Sequence, residues 1–254
     1  MLRRLGKKTK LAPKIISYFP EHSCYIELFF GAGGLFFNKP PVQYNFMNDI
    51  DNDVYNLFMV LKNSPDDLYN KMEMTPYHES IFKKWKTEKE IEPVWQAVRF
   101  LYLSNFSYLG KSDTLGFGME NSKKEILKKI KLNLTILDRA RFLNNDFREV
   151  IKKISFHGST IKKINSFIYA DPPYLGKGNN YSQGFTEKDS IDLFNVLTES
   201  GVRFAMSEFN NPFIIDQAKQ RNLNIIEIGE RQTLKSRQTE ILITNYEINQ
   251  GVLF

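Results

Sequence analysis

The feature that most constrains the fold is a short run, Tyr25 to Phe30, that passes without interruption into Gly31-Ala32-Gly33-Gly34. A compact stretch of aromatic and branched residues reads as a buried strand. Glycines at its end let the backbone turn sharply and approach a ligand with no Cβ in the way. Leu35 to Asn38 is then expected to open a helix that Pro40-Pro41 ends, and Tyr44 to Met47 to form a second strand closing on Asn48-Asp49. Strand, glycine turn, helix, strand and acidic loop together open a doubly wound α/β domain. Ahead of it, Leu11 to Phe19 has apolar residues at helical spacing and stops at Pro20.

The texture then changes. From about Asp53 to Asp138 the spacing is helical, over Val54 to Lys62, Tyr77 to Thr87, Pro93 to Ser104 and Lys123 to Leu134. Nothing in that stretch alternates strand with helix, so it reads as a helical insert. The α/β rhythm returns at Ala140 to Phe142, with further strands expected at Phe167 to Ala170, Val202 to Met206, Ile225 to Ile228 and Ile241 to Tyr246. Thr186 is expected to cap a helix from Glu187 to Ser200, and Gly201 to stop it. The organisation is therefore residues 1–52 and 139–254 as one α/β domain, interrupted by an insert at 53–138.

Composition excludes more than it selects. The chain has 254 residues, a 42% hydrophobic and 14% aromatic content and a formal charge of +6. That is too apolar and aromatic for a disordered chain, and only mildly basic, so a polyanionic partner is permitted without being demonstrated. No run approaches the ~20 apolar residues that span a bilayer. The basic segment MLRRLGKKTKLAPK has no apolar stretch behind it and is not read as a secretory signal. The single cysteine, Cys24, cannot form an internal disulfide, which suits a reducing compartment, and three scattered histidines give no metal-ligand spacing. Cys24 reads as a small core residue. Lying just before the first strand and far in sequence from Asp171-Pro172-Pro173-Tyr174, it speaks against a covalent cysteine mechanism.

Two segments carry chemistry. Asp49 lies 18 residues after Gly31, at the end of the next strand, where a carboxylate can accept hydrogen bonds from ribose hydroxyls. The plain alternative is a tight turn with a surface acid beside it. Position 36, where a dinucleotide fingerprint needs a third glycine, holds Phe36, which disfavours a nicotinamide dehydrogenase. The second segment is Asp171-Pro172-Pro173-Tyr174, directly after Phe167-Ile168-Tyr169-Ala170. Prolines cannot continue a sheet ladder, so this is a rigid turn at a strand's C-terminal end, the edge where open α/β sheets bind ligands. The Asp171 carboxylate and the Pro172 carbonyl become fixed acceptors beside the flat face of Tyr174. Such a set suits a planar group bearing an exocyclic –NH₂, whose ring-delocalised lone pair is freed when both hydrogens are accepted.

In these motifs the chain resembles the Dam-type (D12 class) DNA adenine-N6 methyltransferases over nearly its whole length. Gly6-Lys7-Lys8 is similar to the family's N-terminal Gly-Gly-Lys, and Glu27-Leu28-Phe29-Phe30-Gly31-Ala32-Gly33 to its Glu-Pro-Phe-x-Gly-x-Gly. Asn48-Asp49-Ile50 resembles the acidic ribose-binding turn, and Asn145-Asp146-Phe147 the segment along the donor's adenine. Asp171-Pro172-Pro173-Tyr174 is the catalytic motif unchanged, and Gly184-Phe185-Thr186 and Glu240 to Tyr246 match later motifs. The resemblance implies a Rossmann-like S-adenosylmethionine-dependent methyltransferase sheet with a helical target-recognition insert. It implies S-adenosyl-L-methionine as donor and adenine N6 in double-stranded DNA as acceptor, with the Asp171–Tyr174 turn catalytic. The implied donor contacts are Arg4, Lys8, Glu27, Phe29, Gly31, Ala32, Gly33, Asp49, Ile50, Asp146, Phe147 and Asp171. Arg4 stands where the family carries an aromatic residue, and Leu28 replaces a proline. The arginine of GATC-specific members is not evident between Lys111 and Met119.

An enzyme acting on a stacked base must bring that base out of the duplex, offsetting the cost with phosphate contacts and stacking. The expected DNA contacts are Lys111, Ser112 and Thr114 for base reading, and Arg231, Lys235 and Arg237, on a long connection between two late strands, for phosphates. The lysines at 123, 124, 128, 129 and 131 repeat at helical spacing and read more readily as a solvated helix face. Alternatives are an N4-cytosine methyltransferase, since both amines suit the same chemistry, an RNA or protein-amide acceptor, and an inactive DNA-binding homologue. The expected setting is cytoplasmic, at a bacterial nucleoid or in a phage-infected cell. A separate restriction endonuclease is a partner that the sequence does not show.

Overall fold

The computed structural model describes residues 8, 11–107, 114–116, 120–132, 134–156, 161–175, 184–232 and 237–248. Seven strands, β1 (Cys24–Glu27), β2 (Tyr44–Asn48), β3 (Ala140–Leu143), β4 (Ser166–Ala170), β5 (Arg203–Phe209), β6 (Asn224–Gln232) and β7 (Arg237–Thr244), form one sheet in the order β3-β2-β1-β4-β5-β7-β6. The first five are parallel, and β7 runs antiparallel between β5 and β6. The chain builds outward from β1 through β2 to β3, then returns to lay β4 on the other side of β1. That reversal opens a crevice beyond the carboxyl ends of β1 and β4, the place where such sheets bind ligands. The glycine turn and the Asp-Pro-Pro-Tyr turn both leave strands there.

Both faces of the parallel strands are buried, as the continuous apolar runs require. On one face Tyr25, Phe167, Tyr169 and Leu242 pack with α1 (Ala12–Ser17) and with a helical array: α2 (Asn52–Asn63), α3 (Pro65–Met74), α4 (Glu79–Thr87), α5 (Pro93–Phe106), α6 (Glu120–Leu132) and α7 (Leu134–Leu137). On the other, Cys24, Ile26, Ile168 and Phe204 pack beneath α8 (Phe147–Lys153), α9 (Glu187–Glu199) and α10 (Pro212–Gln220). The helical array shares one core with the sheet, running from Tyr25 and Phe30 through Phe58 and Val98 to Trp85 and Phe106. Among the described residues no helix is long and apolar enough to cross a membrane.

Two expectations are corrected. The helix expected from Leu35 is a single 3-10 turn at Phe36–Asn38, because Phe36 and Leu35 are drawn fully into the core beside Phe30. Arg231 and Arg237 do not sit on a long connection. They are strand residues of an antiparallel pair in which Arg231 faces Gln238 and Gln232 faces Arg237. The consecutive polar residues Glu230 to Gln232 and Arg237 to Glu240 offer neither an apolar run nor an alternation to mark the strand ends.

The lysines of α6 are partly committed to structure. Lys123 donates to the Thr75 carbonyl at 2.8 Å and Lys131 lies 4.2 Å over the Tyr69 ring, fastening α6 to α3. Thr186 caps α9 in a reciprocal box with Asp189, and Gly201 follows the helix at φ +64°, as expected.

Candidate active site

The crevice is built from the ends of three neighbouring strands. After β1, Gly31 and Gly33 take φ of +52° and +67°, conformations that favour glycine. A Cβ on Gly31 would meet nothing within 4 Å, so the first glycine faces open space. After β2, Asp49 accepts from the Gly31 N–H at 2.6 Å through one carboxylate oxygen and from the Asp51 N–H at 2.9 Å through the other. The acid and the glycine turn, 18 residues apart, are thus one unit. Asn48, buried beneath them, donates to the carbonyls of Leu28 and Asn145 at 3.0 Å each and accepts from the Asn145 N–H. It stitches the loops after β1, β2 and β3 together.

After β4 comes the Asp171–Tyr174 turn. The buried Lys8 ammonium lies 3.1 Å from the Asp171 carboxylate, stands 4.3 Å over the centre of the Tyr174 ring and donates to the Tyr174 hydroxyl. Glu240, buried in β7, holds the same ammonium at 3.5 Å. Phe209, its partner in register on β5, meets the Tyr174 ring at 4.4 Å in a T-shaped contact. Behind the turn, Glu208 accepts from the N–H groups of Phe209 and Leu175. The turn is therefore fixed by its own prolines and by side chains from β5, β7 and the N-terminal segment.

A third cluster lies beyond β3. The Phe29, Phe147 and Phe185 rings surround one another at 5.4, 6.0 and 6.1 Å, and Asp146 caps α8 by accepting from the Arg148 N–H at 2.9 Å.

Of the expected donor contacts, Gly31, Ala32, Gly33, Asp49 and Asp171 lie on the turns after β1, β2 and β4, Lys8 against the last of these, and Phe29, Asp146 and Phe147 in the cluster beyond β3. Ile50 is exposed beside Asp49. Glu27 instead lies buried at the end of β1, accepting from the Tyr25 hydroxyl at 2.9 Å. Thr114 is exposed. Arg4, Lys111, Ser112 and Lys235 lie outside the described residues, and Arg231 and Arg237 are described in their backbone only. Reading the sequence assigned no role to Glu208, Phe209, Glu240 or Arg148. The signal for the first was present: a glutamate set inside the run Arg203-Phe-Ala-Met-Ser-Glu-Phe209 has no reason to be there unless it is held by something.

The profile described as "D12 class N6 adenine-specific DNA methyltransferase" matches residues 5–240. The chain belongs to this family. It is 25% identical to the type II methyltransferase M1.LlaDCHI of Lactococcus lactis subsp. cremoris, over 95% of this chain and 93% of that one. It is 30% identical to the DNA adenine methylase of Serratia marcescens, over 75% of this chain and 73% of that protein. It is also 26% identical to the modification methylase StsI of Streptococcus sanguinis, matching over 97% of its own length but only 42% of the relative's.

The site's buried carboxyls bear on stability. Burial, with the charge of Asp171 adding to it and the Tyr25 hydrogen bond opposing it, pushes the Glu27 carboxyl up to about 8. Burial likewise pushes Glu208 up to about 8, against the hydrogen bond from the Phe209 N–H. An acid that binds its proton more tightly when folded stabilises the fold fully below its unfolded value of 4.5 and loses that contribution as pH rises through 8. Burial lowers His22 from 6.5 to about 4 and Lys39 from 10.5 to about 8, so these bases act on stability outside the window from pH 6.5 to 8. Across that window the two glutamates should cost the fold on the order of 3 kcal/mol. Thermal melting of the wild type should therefore fall over this range, and the double variant E27Q/E208Q should be nearly flat. Parallel pH profiles for the two proteins would refute the assignment.

Proposed function

We propose that the protein transfers a methyl group from S-adenosyl-L-methionine directly to the N6 amine of an adenine turned out of duplex DNA. The observation that carries this reading is the rigid Asp171–Tyr174 turn at the switch point of the sheet, fixed by Lys8, Glu208, Phe209 and Glu240 beside the glycine turn and Asp49. The fit to the donor rests on the open space over Gly31, the Asp49 carboxylate for ribose hydroxyls and the Phe29–Phe147–Phe185 cluster with Asp146 for a purine. Bound there, the donor supplies an electrophilic methyl group.

The protein's part is placement and charge. Asp171 and the Pro172 carbonyl accept hydrogen bonds from the two N–H groups of the target amine, releasing its lone pair from the ring, and Tyr174 presents its face to the flipped base. The N–CH₃ bond forms as the donor's S–CH₃ bond breaks, S-adenosylhomocysteine leaves, and the methylated amine sheds one proton to solvent. Lys8, anchored by Glu240, orients the Asp171 carboxylate. Holding the reactants in line can account for roughly 7–11 kcal/mol of the barrier. The segments at 53–138 and at the β6–β7 hairpin are assigned to the DNA, the first to base reading around Lys111, Ser112 and Thr114. The expected setting remains the cytoplasm of a bacterial or phage-infected cell, with a separate restriction endonuclease as the partner of a modification enzyme.

Supplying labelled donor together with duplex DNA, RNA and protein in one mixture tests the acceptor class: label is expected in the DNA alone. The hairpin's part has its own readout. Each phosphate contact contributes about 0.9 to the slope of log affinity against log salt. Replacing Arg231, Lys235 and Arg237 by glutamine should weaken DNA binding and flatten that slope by about 2–3. An unchanged slope would return those charges to ordinary surface.

A further inference from the structure

The Arg148 guanidinium is the most heavily paired cation among the described residues, and none of its partners belongs to the catalytic turn. Its Nη1 lies 3.1 Å from Asp146, its Nη2 2.6 Å from Asp189 and 2.8 Å from Asp192, and its Nε donates to Asp192 at 2.9 Å. The guanidinium also covers the Phe147 ring, 4.4 Å from its centre. Helix stability does not explain an arginine here. It occupies the first turn of α8, where the helix dipole disfavours a cation. A planar five-donor group, however, can satisfy several carboxylates at once, which a lysine cannot do in the same geometry.

The three acids come from two places. Asp146 is the cap of α8 and precedes Phe147. Asp189 and Asp192 lie on the first turns of α9, and Asp189 also accepts from the Thr186 N–H at 2.8 Å and hydroxyl at 2.6 Å. Burial works against ionisation of Asp189, but the bonds from Thr186 and Arg148 outweigh it and hold its carboxyl below the usual range. Phe185, immediately before Thr186, is one of the three rings of the aromatic cluster. A continuous chain of contacts thus runs from Asp146 and Phe147 through Arg148 to Asp189, Thr186 and Phe185. Removing the guanidinium would leave three carboxylates facing one another and let α9, with Phe185, move away from Phe147.

We infer that Arg148 is a positioning residue that joins the two walls of the donor pocket, so that it sets affinity for S-adenosylmethionine while leaving methyl transfer and DNA binding untouched. The inference rests on the reading of the crevice as the donor site. Packing around a bound planar group is sensitive to wall placement on the scale of about 0.5 Å, which is what such supporting contacts secure.

Calorimetric titration with S-adenosylmethionine tests it. Arg148→Met should weaken donor binding about tenfold and raise the donor's KM to match. The maximal rate at saturating donor and the affinity for a fluorescent duplex should stay within about twofold of wild type. Arg148→Lys should recover part of the loss, and Asp192→Asn, which removes the charge of one half-buried partner and leaves Asp146 and Asp189 in place, should cost about threefold. Donor affinity within twofold of wild type in Arg148→Met, or in Asp192→Asn should the first variant not fold, would overturn the inference. A loss of maximal rate with donor affinity intact would also overturn it. Failure of the wild type itself to bind the donor would instead strike the proposed function.

Discussion

Replacing Asp171 by alanine is expected to lower the rate of methyl transfer by at least 10²–10³-fold, the usual loss when one preorganised polar partner of a developing charge is removed. The structure gives two reasons to expect the upper end. The carboxylate accepts directly from the target amine in the proposed chemistry. It is also a carboxylate partner of Lys8, a residue only 5% exposed, whose ammonium would keep the Glu240 carboxylate at 3.5 Å and the Tyr174 ring and hydroxyl. A buried cation deprived of a partner shifts toward whatever acceptor remains, so Lys8 should move toward Glu240 and the turn should lose its alignment. Asp171→Asn separates the effects: it keeps the shape and removes the charge. If both variants bind donor and DNA like the wild type and neither transfers methyl groups, the defect lies in chemistry. A variant with near-normal turnover would remove Asp171 from the mechanism.

The second large effect is structural and discriminates between two glycines that look alike in sequence. A Cβ on Gly33 would lie 2.5 and 2.7 Å from ring atoms of Phe37 and 2.8 Å from the Phe30 ring. Phe30 cannot yield, because it is buried and packed edge-on against Phe36, Phe58 and Phe142. Overpacking of this kind, added to the strain of φ +67°, should cost about 3 kcal/mol or more. Gly31→Ala meets no atom within 4 Å and bears only the strain of φ +52°, roughly 1–2 kcal/mol. Chemical denaturation of the two variants should therefore show Gly33→Ala clearly the weaker. Donor binding should be reduced by Gly31→Ala as well, since its methyl would project into the space over the turn. Equal destabilisation by the two would mean that the Phe30–Phe37 packing is not what confines Gly33.

The contrast between these glycines marks what could be read before the structure. The strand–glycine–strand opening, the Asp49 and Asp171 turns and the return of strands after the helical stretch all follow from local patterns, because each depends on residues adjacent in the chain. The pairing of Lys8 with Asp171, Tyr174 and Glu240 does not. It brings together residues separated by up to 232 positions, and the motif Gly6-Lys7-Lys8, which singles out Lys8, carries no sign of those partners. Likewise β5 was expected to end at Met206, since Ser207 and Glu208 break the apolar run. Both are buried in the strand all the same, Ser207 bonded to the Tyr169 hydroxyl at 2.7 Å and Glu208 to the backbone behind the catalytic turn. The β6–β7 hairpin extends past its apolar runs for a related reason, because Glu230 to Gln232 and Arg237 to Glu240 are all polar.

DNA incubated with the protein and isotopically labelled S-adenosylmethionine, digested to nucleosides and separated by mass, should carry the label as N6-methyladenine and in no other nucleoside. Label recovered as N4-methylcytosine, or no label in the DNA from a preparation that binds the donor, would contradict it.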